Sequence, residues 1–346
     1  MAFPKTYVDA LLVNWGDRLF HEPLRHARTQ HLSHWTMHRH ALHLREKLVA
    51  TLGHAPEVMV KISNKGGGAQ GMAVVRRHLQ YISRNGDVEL EDQDGHVITG
   101  KAELNDLLEQ WQLGGWGIPQ ESRRRETLNV LLSMPPGTNR QAVRDAASAF
   151  AHETFGDGRP YVFAVHDDEA HPHVHLSIHT RGPNGQRLNP RKQDLHQWRE
   201  SFARHLREHG VDANATPRIV RGQTQRFPKQ AAIWMAAQGI PLRFYSPVID
   251  EETRQVLWEA HLDTLSAWHE IAQALAHSNV PEDRAMAIDI ANFVSRMPIR
   301  ALSPAPIPQH RGPAQQPDHS VNRGRKTYSQ DLPSNDRGAL SFDMDL

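Results

Sequence analysis

The stretch HDDEAHPHVHLSIHTRG, residues 166–182, holds five histidines and three acids in seventeen residues. Read as an extended strand, its side chains alternate between two faces. His171, His173, His175, Ser177 and His179 share one face, while Pro172, Val174, Leu176 and Ile178 share the other, which is wholly apolar. One face is suited to a core; the other presents a row of imidazoles. Same-face neighbours on a strand lie about 7 Å apart, within reach of one bound ion, so His173 and His175 make a bidentate clamp. A third ligand should come from an adjacent strand. YVFAVHDDEA lies just upstream and can fold back through its acidic turn, bringing His166 beside the pair. Asp168 and Glu169 sit at that turn, either as direct ligands or as partners that fix an imidazole tautomer. Imidazoles with carboxylates suit a divalent metal, Mn2+, Zn2+ or Mg2+ in that order. A solvated histidine-rich strand is the plainer alternative, and the apolar opposite face and the adjacent acids weigh against it.

His173-Val174-His175 resembles the histidine–hydrophobe–histidine signature of the HUH endonucleases. The longer HPHVH strand, preceded by a histidine seven residues before the first ligand, resembles the third motif of the relaxases that start conjugative DNA transfer. The resemblance implies His166, His173 and His175 as the metal ligands, with His171 competing for the third place. It also implies a tyrosine that takes the 5′ phosphate of a nicked strand. Of Tyr7, Tyr81, Tyr161, Tyr245 and Tyr328, Tyr81 stands in RRHLQYISRNG after a glycine loop, which resembles the first relaxase motif. Arg77 lies one helical turn before it and Arg84 three residues after, so both can share its face. Cations there would hold a phosphate and favour the phenolate, since an unperturbed phenol has a pKa of about 10. An interfacial packing tyrosine is the alternative.

What the resemblance implies further is site- and strand-specific nicking and rejoining at an origin of transfer, through a 5′-phosphotyrosyl intermediate. Asp168 or Glu169 would serve as the proton acceptor. Arg76, Arg77, Arg84, Arg187, Arg191 and Lys192 would contact DNA phosphates, with Ser133 in the poorly defined second motif. Trp116 is a further candidate for base stacking, although a core position suits a tryptophan better. Partners would be single-stranded origin DNA, accessory relaxosome proteins and a type IV secretion coupling protein. A replication initiator or transposase of the same class, a non-catalytic metal-stabilised DNA-binding module and a small-molecule metallohydrolase are the competing readings. The resemblance covers about residues 57–222, and here some 56 residues precede the first motif strand, whereas in most family members the tyrosine lies near the N-terminus.

The elements that must position these residues are legible in outline. EVMVKIS alternates as a strand, followed by the glycine loop SNKGGGAQG and a short helix that Asn85-Gly86 closes. DVELEDQDGHVITG reads as an acidic hairpin about Asp94-Gly95. KAELNDLLEQWQLGG is a helix, TLNVLLSMPPG a buried strand, and TNRQAVRDAASAFAHETFG a helix capped by Thr138 or Asn139. Two further strands carry the histidines, and NPRKQDLHQWRESFARHLREHG is a helix. The expected fold is α+β: a central antiparallel sheet of HUH relaxase type with flanking helices, drawn with helices on one side, plus helical N- and C-terminal segments. The expected domains are a helical extension over 1–56, the nuclease domain over 57–222, a helical accessory region over 223–300 and a disordered tail over 301–346. In the extension, the helix is expected from about Leu19 to Gly53.

Composition narrows the chemistry. The 346 residues include no cysteine, so disulfides, thiolate metal sites and cysteine nucleophiles are excluded. Any metal must be held by histidine or carboxylate. The formal net charge of +1 is low for a protein that coats duplex DNA, so DNA contact must rest on local patches. The first residues, MAFPKTYVDALLVNWGD, lack a basic start followed by an apolar run, so no secretory signal is expected. With no membrane insertion expected either, a cytoplasmic protein is the expectation.

Overall fold

A computed structural model of the chain describes residues 3–20, 33–64, 71–224, 235, 238–239 and 250–303. The glycine loop over 65–70, the helix expected over 21–32, most of 225–249 with Tyr245, and the tail beyond 303 with Tyr328 lie outside the described residues.

Six strands form one antiparallel sheet: β1 (Met59–Ile62), β2 (Leu90–Asp92), β3 (Val97–Ile98), β4 (Thr127–Ser133), β5 (Tyr161–His166) and β6 (His173–His179). Their order across the sheet is β1-β4-β6-β5-β2-β3, so the histidine strand is central. The β5–β6 hairpin sets His166 directly opposite His173, and Ala164 opposite His175. On β4, Ser133 pairs with His173. The acidic hairpin forms as expected, with Gly95 at φ 81° and the Asp92 carboxylate accepting the N–H groups of Asp94 and His96.

Eight α-helices are present among the described residues: α1 (Lys5–Phe20), α2 (His34–Leu52), α3 (Met72–Ile82), α4 (Gly100–Leu113), α5 (Arg140–Phe155), α6 (Lys192–Glu208), α7 (Glu251–Ala276) and α8 (Pro281–Ser295). Asn139, not Thr138, caps α5 by accepting from the Ala142 N–H. Alternation on the strands decides what each face packs against. Val174, Leu176 and Ile178 of β6, with Leu128, Val130 and Leu132 of β4, meet Phe150 and Phe155 of α5 and Trp198 and Phe202 of α6. On the opposite face, Val162 and Ala164 of β5 meet Val75 and Leu79 of α3 and Leu104, Leu108 and Trp111 of α4. Helices therefore cover both faces, not one. The imidazole face is not left open to solvent along its length, because Val162 and Ala164 of β5 and Leu90 of β2 add apolar surface to it that a second pair of helices buries.

A third core joins the two ends of the described chain. Leu12 and Phe20 of α1, Leu44 and Leu48 of α2, Trp268 and Ile271 of α7 and Ile290 of α8 pack together. Charge reinforces the join: Arg45 of α2 bonds the buried carboxylates Asp9 of α1 at 2.7 Å and Asp283 of α8 at 2.9 Å. Leaving either carboxylate buried and unpaired would cost several kcal/mol. Helix α1 lies within the helical extension expected over 1–56, although a helix was drawn there only from about Leu19. No helix among the described residues is long and apolar enough to cross a membrane.

Candidate active site

The β5–β6 hairpin and the end of α3 converge on one cluster. The rings of His166, His173 and His175 lie 4.6–5.3 Å apart between centroids. One nitrogen from each falls within 4.8 Å of those of the other two. Ala164 helps to explain the closeness. It sits opposite His175 and beside His166 on the same face, and its methyl leaves the two imidazoles room to meet at 4.6 Å.

Backbone carbonyls fix the tautomers, since a carbonyl can only accept. His173 Nδ1–H donates to the His171 carbonyl at 3.0 Å, which leaves Nε2 with its lone pair. His166 Nε2–H donates to the Ile82 carbonyl at 2.7 Å, and its Nδ1 is buried with no hydrogen-bond partner. A buried, unpartnered lone pair facing two other imidazoles is costly in isolation, and it fits a metal ligand. Burial pushes His175 down to about 3, with help from the neighbouring imidazoles and Arg84. Burial also lowers His166. Both shifts favour the neutral ring with a free lone pair, the state in which histidine ligates a metal. The donor set thus suits a divalent ion with nitrogen preference, and oxygen-preferring Mg2+ least. His171 is exposed and contributes its carbonyl to this arrangement. Among the described residues a second group, Asp92, Asp94 and His96, also brings ligand atoms together, but it is largely exposed and its members already bond one another.

Tyr81 lies on the last turn of α3, 55% exposed, with its ring edge-on to His175 at 6.0 Å. Arg84 stands over the Tyr81 ring, its guanidinium carbon 5.2 Å from the centroid. Asp168, at the hairpin turn, forms an ion pair with Arg84. That pair holds the Asp168 carboxyl below the usual range, which makes it a weak proton acceptor. Glu169 is exposed, and its main-chain carbonyl accepts from Arg140, which also binds Asp167 at 2.9 Å. The turn is therefore braced by two arginines. Arg84, Asn85 and Gly86 all have positive φ (49°, 60° and 99°). For the first two this is a sparsely populated backbone region. The run reverses the chain after α3 and sets Arg84 back over Tyr81.

Arg77 is exposed on α3 and Arg76 half-buried, neither in an ion pair among the described residues. Ser133 is buried beside His173, its hydroxyl donating to the Met134 carbonyl at 3.4 Å. The remaining predicted phosphate contacts are elsewhere. Arg187 bonds Glu126 at 3.1 Å, the Arg125 carbonyl and the Thr180 hydroxyl, at the far end of β6, roughly 20 Å from His173 by strand rise. Arg191 and Lys192 begin α6, which packs on the opposite face of the sheet.

One residue at the site was missed in the sequence. His78, three residues before Tyr81, lies 6.5 Å from both the Tyr81 and His175 rings. Its Nε2 is buried without a partner, and burial pushes its pKa down to about 4. The i, i+3 spacing from Tyr81 in RRHLQY was the available signal.

Residues 81–211 match the family model of the relaxase MobA/VirD2-like nuclease domain. Three T-DNA border endonucleases VirD2 are similar over about half of this chain. Those of Rhizobium radiobacter, Agrobacterium fabrum (strain C58) and Rhizobium rhizogenes are 28%, 29% and 28% identical, each over 49% of this chain. The matches cover 44%, 42% and 43% of those relatives, so the similarity spans less than half their length. The family match takes in Tyr81 and all three clustered histidines.

Proposed function

We propose, for a chain whose residues 81–211 belong to the MobA/VirD2-like relaxase nuclease family, that it nicks and rejoins one DNA strand at a specific origin sequence with Tyr81 as nucleophile. The observation that carries the reading is the tyrosine set edge-on to a three-imidazole cluster, under an arginine. His166, His173 and His175 would hold a divalent metal, which when bound offsets charge on the scissile phosphate. Zn2+ or Mn2+ suits three nitrogen donors.

The chain's own groups supply the rest. The Tyr81 phenol oxygen forms a bond to phosphorus and the bond to O3′ breaks, leaving a 5′-phosphotyrosyl link and a free 3′-hydroxyl. Arg84 lies over the attacking ring and Arg77 one turn away, both suited to hold phosphate oxygens. Of the two turn carboxylates, Asp168 is committed to orienting Arg84. Glu169 is then the acceptor for the phenol proton, which passes on to the departing O3′. Reversal rejoins the strand. The nuclease domain would run over 57–222. The helices on either side of it, which share one core, would meet accessory relaxosome proteins and a type IV coupling protein.

The test is nicking of a supercoiled plasmid bearing DNA from beside the protein's own gene, with and without divalent metal. The expected result is relaxed plasmid with protein attached at the 5′ end, abolished in Tyr81→Phe. Covalent attachment that survives in Tyr81→Phe would rule out this nucleophile.

A further inference from the structure

On the same face of the sheet, at the other end of β6, Trp116 is 54% exposed. An exposed indole offers an apolar face with a polar edge, suited to a contact. This ring is also held in place. Its N–H donates to the Pro183 carbonyl at 3.1 Å, and Arg181 stacks 4.7 Å from its centroid. Gly185, at φ 79°, passes against the benzo edge, where a Cβ would come within 3.2 Å. With one face on Arg181 and one edge on the turn, the exposed area leaves a flat aromatic face open. Arg123 and Arg124 are exposed on the neighbouring loop, in no ion pair among the described residues.

This loop is continuous with the tyrosine helix. The Met72 N–H at the start of α3 donates to the Pro119 carbonyl at 3.0 Å, and the Gly71 backbone lies against Gln120. From there Ala73, Arg77 and Tyr81 follow one exposed line along α3, at i, i+4 and i+8. The helix covers about 14 Å between Met72 and Tyr81 by its rise per residue.

We infer that Trp116, backed by Arg181, is a nucleobase-stacking platform for single-stranded DNA, joined to Tyr81 by a basic track through Arg77. It rests on the nuclease reading for its substrate class. Aromatic faces bind unpaired bases with little sequence preference, and arginines beside them track the backbone. At about 3.4 Å per nucleotide of a stacked strand, the platform would engage a base about four to six nucleotides from the scissile phosphate.

The test is fluorescence anisotropy with a labelled fifteen-nucleotide oligothymidylate, alongside the plasmid-nicking assay. Trp116→Ala should weaken binding roughly 5- to 150-fold, the range for loss of one stacked base. Trp116→Phe keeps an aromatic face but loses the bond to Pro183, and should stay within a few-fold of wild type. Arg123→Ala with Arg124→Ala should reduce the slope of log affinity against log salt by about 1.4. Unchanged binding in Trp116→Ala overturns the platform, as does equal loss in the alanine and phenylalanine variants, which would make the anchoring bond the cause. Wild-type nicking with Trp116-independent binding would sink the platform and leave the nuclease. Trp116-dependent binding without any nicking would do the reverse.

Discussion

The two ends of β6 carry the same residue type on the same face and put it to different use. At one end His173 and His175 meet His166, and the cluster opens toward Tyr81. At the other end His179 is buried edge-on against Trp111 of α4, with its Nδ1–H given to the Arg181 carbonyl at 3.1 Å. Burial lowers His179 too, so neutrality does not distinguish the ends. The covering element does. Helix α4 closes over His179 with a large aromatic. Over His175, α3 is ending, and it offers a tyrosine and a left-handed turn. Strand alternation assigns a face; the helix laid across it assigns the chemistry.

That contrast can be broken in order of expected effect. Tyr81→Phe should reduce covalent DNA attachment by on the order of 10^4-fold or more, as loss of a nucleophile does, with the fold intact by circular dichroism. His175→Ala should lower divalent-metal affinity by at least about 100-fold in equilibrium titration, more than loss of an outer-shell partner costs. His179→Ala should leave metal affinity unchanged and lower stability by about 1–3 kcal/mol through the cavity it makes. Equal losses of metal affinity in these two variants would erase the distinction between the ends. Acid should weaken the fold through His78. Its folded pKa of about 4 lies below the ordinary 6.5, so the unfolded chain binds the proton first and stability falls as pH drops through that window. Denaturant midpoints from pH 7 to 4.5 should show that slope, and His78→Gln should reduce it, leaving the share of His166, His175 and His179, whose pKa values burial also lowers. The smallest effect is expected from Asp168→Asn. It frees Arg84 from an exposed pair and should lower nicking a few-fold with no change in melting temperature.

The parts of the site that depend on short-range periodicity were legible in the sequence. Alternation separated Val174, Leu176 and Ile178 from the histidines, and the adjacent hairpin placed His166 opposite His173. Tyr81 was legible because a glycine loop and flanking arginines surround it. What escaped depended on packing between distant segments. Nothing in the sequence shows that Ala164 makes room for His175. Nor does it show that Glu126, sixty-one residues away, occupies Arg187, or that Trp116 remains in solvent. The second covered face was missed because α3 and α4 bury short apolar stripes that look like surface helices one at a time. Residues 1–56 read as helical, but nothing in them shows that α1 packs with α7 and α8, more than two hundred residues on.

The bond from His166 to the Ile82 carbonyl joins two tasks in one ring. Carbonyls in the last turn of a helix have no partner within it, and this one is completed by the same imidazole that offers its other nitrogen to the cluster. An ion that binds only this arrangement would act as a brace on the end of α3, by simple mass action. Amide exchange should report it. At ion concentrations of 100 times Kd, opening of the turn that includes the Ser83 N–H, bonded to the Leu79 carbonyl at 3.0 Å, should slow about a hundredfold, while α4 is unaffected. Under the proposed reading, Tyr81 would then be held still only when an ion fills the cluster, so losing the ion would also loosen the turn that carries it.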